Sequence, residues 1–275
     1  MKSFIYHFVI IASLSLFMIS CVKANSDDKY VEGNIKITQK EFTETLRNLP
    51  PDIKENILKD RAVFLSYIER LIIISDQDNN FIFFPVDKTR NLSDKFTPSD
   101  LKELDKEGFS VNKKGMQLRA NAITALKEMN ADATANIIEL LVSSAFRSYE
   151  YQKNLYNYYI SIHGKEKADK YSALPGASQH QLGTVLDFGS ITLAFQDTPE
   201  GKWIKENGWK YGFSLSYPLN YEEETGYNYE PWHYRYITKE GALVEKVFFN
   251  GLQYLFLNYL AEYESFFLDR LQIKN

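Results

Sequence analysis

Pro175-Gly-Ala-Ser-Gln-His-Gln-Leu-Gly-Thr-Val-Leu-Asp-Phe-Gly189 is the stretch around which the rest of the chain can be read. It sets His180 and Asp187 seven residues apart with Gly183 between them, so a loop carrying the imidazole can swing into a strand carrying the carboxylate. Downstream, Glu230-Pro-Trp-His-Tyr-Arg235 adds a second imidazole, His233, and a spare glutamate. Pro231 makes a turn, rather than a helix, the expected support for Glu230 and His233. A catalytic zinc site takes three protein ligands from His and Asp/Glu and leaves the fourth tetrahedral position to water. The expected ligands are His180, Asp187 and His233, with Glu230 as the base. Neither stretch decides this alone, because Ser-x-His with a later Asp is common by chance and a lone His beside Trp is more often packed in a core. Their joint presence matters because the chain holds only 4 histidines.

Composition narrows the partners. A chain of 275 residues, 44% hydrophobic and 25% charged, has an ordinary globular make-up and room for one large domain or a domain with an extension. Its 15% of aromatic residues suit a sizeable core and a substrate groove. A net charge of −4 offers nothing to a phosphate backbone, so no nucleic-acid partner is expected. Neutral or zwitterionic peptides remain compatible with it.

Residues 1–20 read as a leader rather than as part of the fold. Lys2 is followed by a nearly all-apolar run from Phe8 to Ile19, shorter than the roughly 20 residues a spanning helix needs. The run ends at Met18-Ile-Ser-Cys21 and a polar stretch, which resembles a bacterial lipoprotein signal with Cys21 as the lipidated residue. Met18 stands where Leu is usual. The alternative is an ordinary secretory leader in which Cys21 is incidental. Cys21 is the only cysteine, so an intramolecular disulfide is excluded; once it is lipidated, so are a cysteine nucleophile and a Cys-rich zinc site.

Residues 21–80 read as a tether and a helical extension, and residues 81–275 as the domain that carries the site. The tether runs from Ser26 to about Gly33. Thr38-Gln-Lys-Glu41 matches a capping box and opens a helix near Gln39. Pro50-Pro51 ends it, and Pro51 suits the first turn of a second helix whose stripe is Ile53, Ile57, Val63, Phe64, Ile68 and Leu71. Asp76 to Asn80 lacks the glycine and closing glutamate of a calcium loop and reads as a turn. Strands are expected over Phe81–Val86, Leu140–Phe146, Val185–Phe188, Phe213–Tyr217 and His233–Tyr236. Helices are expected over Leu118–Ile138, over Tyr149–Ile162 with Ser148 as N-cap, over Lys165–Lys170, and from Thr198-Pro199 to a stop at Gly208. An aromatic tail with Leu252, Leu255, Phe256, Tyr259, Leu260, Tyr263, Phe266 and Phe267 repeats at helical spacing. The class is α+β, with a small antiparallel sheet carrying the zinc site, helices packed on it, and a helical N-terminal extension.

Ser178-x-His180-x-x-Gly183-x-x-x-Asp187, taken with Glu230-Pro-Trp-His233-Tyr-Arg235, resembles the VanY-type zinc D-alanyl-D-alanine carboxypeptidases. Ser144-Ala-Phe-Arg147-Ser148 with Gln152, Trp209-x-x-Gly212-Phe213, and Val86-Asp-Lys88 to Pro98-Ser-Asp100-Leu101 agree, and the resemblance spans about residues 82–240. Val185 stands where that family often has Ala, and Gln179 where it often has Glu. The resemblance implies zinc on His180, Asp187 and His233, with Glu230 acting as base and then as acid. It implies that Arg147 steadies the oxyanion or holds the substrate. Ser178 and Gln152 would hydrogen-bond the substrate, and Trp232 and Arg235 would support the site from behind.

Read with the leader, the resemblance implies a lipid-anchored protein of the cell envelope. It would sit on a membrane and remove the terminal D-alanine from peptidoglycan stem peptides. Two other classes stay open: an endopeptidase cutting within wall cross-links with the same zinc site, and a non-catalytic zinc-containing wall-binding protein, since hedgehog domains share the scaffold. A free Glu230 argues against the second.

Overall fold

The computed structural model describes residues 29–32, 34–78 and 81–272. The expected leader, Cys21, and Asn79 and Asn80 of the expected turn lie outside the described residues. In chain order the strands and helices are β1 (Lys29–Glu32), β2 (Ile35–Thr38), α1 (Gln39–Thr45), α2 (Pro51–Lys59), α3 (Arg61–Gln77), β3 (Leu101–Glu103), β4 (Gln117–Arg119), α4 (Ala120–Ala135) and β5 (Val142–Ser144). Then come α5 (Tyr149–His163), α6 (Lys165–Tyr171), β6 (Val185–Phe188), α7 (Pro199–Asn207), β7 (Phe213–Leu215), α8 (Glu222–Thr225), β8 (His233–Tyr236), α9 (Lys239–Phe248) and α10 (Gln253–Leu268). The fold is α+β, and its central sheet is antiparallel with the order β5-β6-β8-β7.

Alternation along these strands divides the sheet into two faces. Leu186 and Phe188 of β6, Tyr234 and Tyr236 of β8, and Phe213 of β7 pack with Leu126 and Met129 of α4 and Ile204 of α7. The intervening residues Val185, Asp187, His233, Arg235 and Ser214 therefore share the other face, and the register pairs Asp187 with His233 and Ser214 with Arg235. Both faces are covered, since all four residues of β6 are buried. The polar face is thus buried by design of the register, which is where a metal site can be dry.

A second core lies at the chain's two ends. Ile53 and Ile57 of α2 and Phe64, Ile68 and Leu71 of α3 pack with Phe248 of α9 and with Phe256, Tyr259, Leu260 and Phe267 of α10. Phe64 is its hub, with ring centroids 5.2 Å from Phe248 and 5.8 Å from Tyr259. Burying each such ring completely contributes about 1.5–3 kcal/mol.

Local sequence explains several helix starts. The Thr38 hydroxyl accepts from the Glu41 N–H at 3.2 Å while the Glu41 carboxylate accepts from the Thr38 N–H at 2.8 Å, closing the capping box of α1. The Ser148 hydroxyl caps α5 by accepting from the Tyr151 N–H, and Thr198 caps α7 by accepting from the Gly201 N–H.

Three expectations are corrected. Lys29–Glu32 is not tether but pairs with Ile35–Thr38 as a hairpin. Phe81–Val86 forms no ladder, because the carbonyls of Ile82 and Phe84 accept from the Arg235 guanidinium at 3.0 and 2.9 Å. The helix expected from Leu118 starts at Ala120, since Gln117–Arg119 pairs with Leu101–Glu103.

Candidate metal centre

Three elements deliver the metal-type ligands. A 3-10 turn, Gln179–Leu182, carries His180 and ends at Gly183. Gly183 has φ +70, and a Cβ there would sit 2.9 Å from Leu101 Cδ2, so only glycine turns the chain from this loop into β6 without strain. Asp187 follows on β6. His233 opens β8 directly across from it, and the His233 N–H donates to the Glu230 carbonyl at 3.1 Å, closing the turn through Pro231. Opposed residues on one face of an antiparallel pair bring their side chains together.

The geometry fits one small cation. Ligand atoms of His180, Asp187 and His233 all lie within 4.8 Å of one another, and the three side chains are buried. His180 Nε2 is 3.3 Å from Asp187 Oδ2, and His233 Nδ1 is 3.2 Å from Asp187 Oδ1. Yet His180 Nε2 and Asp187 Oδ1 are buried with no hydrogen-bond partner. Uncommitted buried lone pairs are costly unless something positive sits among them. The opposite ring edges are fixed: His180 Nδ1 donates to the Ala145 carbonyl at 2.7 Å, and His233 Nε2 donates to Gln179 Oε1 at 3.3 Å. Because a carbonyl oxygen can only accept, these bonds leave His180 Nε2 and His233 Nδ1 as the coordinating nitrogens. Two imidazoles and a carboxylate on separate elements form a zinc-type donor set.

Electrostatics agree. Burial pushes the Asp187 carboxyl up, but the charge of the two adjacent imidazoles, His180 foremost, outweighs it and holds it well below the ordinary carboxylate range. Burial, helped by the Arg147 charge, lowers His180 to about 4. At His233 burial acts the same way, but hydrogen bonds and charge from Asp187 and Glu230 prevail and raise it to about 9. The site's field favours positive charge beside His233 and a neutral, ligand-ready His180.

The remaining expected residues fall into two groups. Glu230, its side chain 15% exposed, lies with Oε2 3.2 Å from His233 Nδ1 and lines a small cleft with Arg147, Ser178 and Tyr217. Arg147 Nε donates to Ser144 Oγ at 3.2 Å, Nη1 to Gln152 Oε1 at 3.0 Å, and Nη2 lies 3.3 Å from Asp187 Oδ2. A guanidinium has five N–H donors, so two remain for a ligand. Ser178 is buried against the cleft.

Gln152 corrects an expectation. It is fully buried, its oxygen accepts from Arg147, and its amide donates to Ser172 Oγ at 3.1 Å and to the Ala173 carbonyl at 2.7 Å. With both N–H groups committed, it holds Arg147 in place instead of donating to a substrate. Trp232 packs on the apolar face of the sheet, and Arg235 pins the 82–84 segment.

Two neighbours were given no site role from sequence. Tyr217 lays its ring 4.7 Å from that of His233, and Gln179 anchors His233 Nε2. Adjacency to His180 and its departure from the family's usual Glu were the signals for Gln179, and Tyr217 carried none.

The family model described as VanY, D-alanyl-D-alanine carboxypeptidase, matches residues 115–239. YodJ of Bacillus subtilis, whose own carboxypeptidase assignment is provisional, is 33% identical over 251 residues, covering 86% of this chain and 91% of that protein. Among solved structures, the LD-carboxypeptidase LdcB superimposes with a TM-score of 0.59 at 32% identity, covering 70% of this chain and 89% of that one. VanYB in complex with D-alanine-D-alanine gives 0.53 at 25% identity, covering 63% and 95%. The chain belongs to the VanY carboxypeptidase family, and the enzyme class is carboxypeptidase. The central sheet and every ligand of the site lie inside the matched span, whereas α1–α3 and α10 lie outside it.

Proposed function

We propose that this chain is a zinc D-alanyl-D-alanine carboxypeptidase that removes the terminal D-alanine from peptidoglycan stem peptides. The carrying observation is the buried convergence of His180, Asp187 and His233, with Glu230 at its open edge and Arg147 keeping two N–H donors uncommitted. Zinc, when bound, supplies a Lewis acid that polarises a carbonyl and acidifies water. Glu230 takes the proton of the attacking water and returns it to the leaving amine nitrogen of D-alanine. Arg147, held by Ser144 and Gln152, donates to the substrate's terminal carboxylate or to the carbonyl oxygen as charge develops on it. The Ser178 hydroxyl adds a neutral donor at the cleft wall. Tyr217, packed on His233, keeps water from the buried side of the site.

The test is D-alanine release from a pentapeptide ending in D-alanyl-D-alanine and from its C-terminal amide. A site that bonds a carboxylate rejects the amide, here on the order of 100-fold or more. Equal cleavage of both would support the endopeptidase reading instead. Similarity to LdcB over 89% of that chain favours a second reading, an LD-carboxypeptidase. Faster release from a tetrapeptide whose last bond joins an L- to a D-residue would select it.

The envelope setting belongs to the same proposal: residues 1–20 as leader, Cys21 as lipid anchor to a membrane, residues 21–80 as an extension and residues 81–275 as the catalytic domain. Among the described residues no helix is long and apolar enough to cross a membrane. Metabolic labelling with a fatty-acid probe, comparing wild type with Cys21→Ser, tests the anchor. Equal labelling would remove Cys21 from that role.

A further inference from the structure

The aromatic C-terminal helix α10 contains one buried residue that does not belong with its neighbours. Phe256, Leu257, Tyr259, Leu260 and Phe267 are apolar core positions, whereas Gln253, only 1% exposed, opens the helix with an amide. A buried amide is costly unless its groups are paired, so a leucine at that position would be the simpler core residue. Gln253 Nε2 donates to Ser214 Oγ at 3.0 Å and to the Ser214 carbonyl at 3.2 Å, on the polar face of the central sheet. Gln253 Oε1 lies 3.1 Å from Ser216 Oγ. That hydroxyl is also 2.8 Å from Gln179 Oε1, the same oxygen that accepts from His233 Nε2.

We propose that Gln179, Ser216 and Gln253 form a buried chain of positioning residues that fixes the ring and tautomer of His233, so that α10 supports the metal centre although it lies outside the family-matched span. The inference rests on the metal-site reading above. Gln179 Oε1 has two acceptor sites, and His233 and Ser216 fill them, which holds the amide against rotation. Ser216 gives its single proton to Gln179 Oε1 at 2.8 Å, and Gln253 Oε1, fixed because the Gln253 amide is locked onto Ser214, packs 3.1 Å from the same hydroxyl oxygen and limits where it can sit. A ligand imidazole whose far nitrogen is held in this way keeps its lone pair aimed at the metal. The terminal aromatic core, by seating α10, thereby sets the geometry of a ligand on the polar face of the sheet.

The experiment measures zinc affinity by competition with a chromogenic chelator, and the visible absorption of the cobalt(II)-loaded full-length protein, for wild type and five variants. Gln179→Leu should weaken zinc binding about 10- to 100-fold, the usual effect of removing an outer partner of a ligand. Gln253→Leu and Ser216→Ala, acting through Gln179, should each weaken it by about 3- to 10-fold and shift the cobalt bands. Their double variant should lose little more than either alone, because both interrupt one chain. Leu260→Ala, which removes packing from the same helix without touching the chain, should lower the melting temperature while leaving affinity and spectrum as in wild type.

Wild-type affinity and spectrum in both folded Gln253→Leu and Ser216→Ala would overturn the inference and leave the metal site standing. If Gln253→Leu does not fold, the single-atom Ser216→Ala deletion decides alone. A wild type that binds neither metal would overturn the site reading and this inference together.

Discussion

The terminal aromatic core and the polar face of the central sheet are both buried, and they are built on opposite rules. Around Phe64 the rings of Phe42, Phe248, Phe249 and Tyr259 close on one another, and Thr45 Oγ1, a polar atom that enters, lies 3.0 Å from Tyr259 Oη. On the sheet face, His180 Nε2, Asp187 Oδ1, and Nε and Nη1 of Arg235 are buried without hydrogen-bond partners. Natural proteins rarely tolerate such atoms outside functional sites. Burial lowers Arg235 to about 9, so even this cation is held against its preference for water. The difference teaches where stability and chemistry are divided: the terminal core supplies apolar burial that a face of uncommitted lone pairs cannot.

The sharpest way to separate the regions is Glu230→Gln, which leaves both cores intact. Turnover of a D-alanyl-D-alanine peptide should fall roughly 100- to 10,000-fold. Zinc content and melting temperature should stay near wild type. Near-normal turnover would place the base elsewhere.

Phe64→Ala strikes the other region. Removing a ring that is fully buried among four others should cost about 3–5 kcal/mol in denaturant unfolding. The rate per folded molecule should hardly change, and a loss of kcat in the folded fraction would show that the cores are not separable.

Glu245 lies between the regions, hydrogen-bonded to Ser214, and burial raises its carboxyl from 4.5 to about 8. Below 4.5 both folded and unfolded chains hold this proton; from there to about 8 only the folded chain keeps it. Its contribution therefore turns increasingly unfavourable as pH rises through that window and is constant above it. Glu245→Gln should gain on the order of 1–3 kcal/mol of stability at about pH 8 and nothing near pH 4. Urea midpoints that shift equally at both pH values would contradict this.

The smallest effect is at the rim of the terminal core. The Arg270 hydrogen bond, with the Thr38 N–H and hydroxyl, lowers Glu41 to about 2. A depressed carboxyl stabilises the fold above its unfolded value of 4.5, and that contribution is lost as pH falls toward about 2. Since the pair is well exposed, Glu41→Gln should cost only about 0.5–1 kcal/mol near neutral pH. The gap between variant and wild type should close in acid; a gap that stayed open at about pH 2 would assign the effect to packing.

Short-range signals were legible in the sequence by itself. The capping box at Thr38, the caps at Ser148 and Thr198, the Val185–Phe188 strand, and the two stretches holding His180, Asp187, Glu230 and His233 each depend on residues a few positions apart. The β1–β2 hairpin was not legible, because the polar composition from Ser26 to Gly33 reads as a tether and nothing local announces the pairing of Glu32 with Ile35. Tertiary structure alone decided the rest. Phe81–Val86 has a strand's composition, yet its carbonyls were claimed by Arg235, 151 and 153 residues away. Gln152 read as a substrate donor until Arg147, Ser172 and Ala173 were seen to engage its amide. Register set Asp187 opposite His233, and the docking of α10 brought Gln253 to Ser216. Such pairings join distant parts of the chain through sheet alignment and packing, and no local periodicity records which partner will arrive.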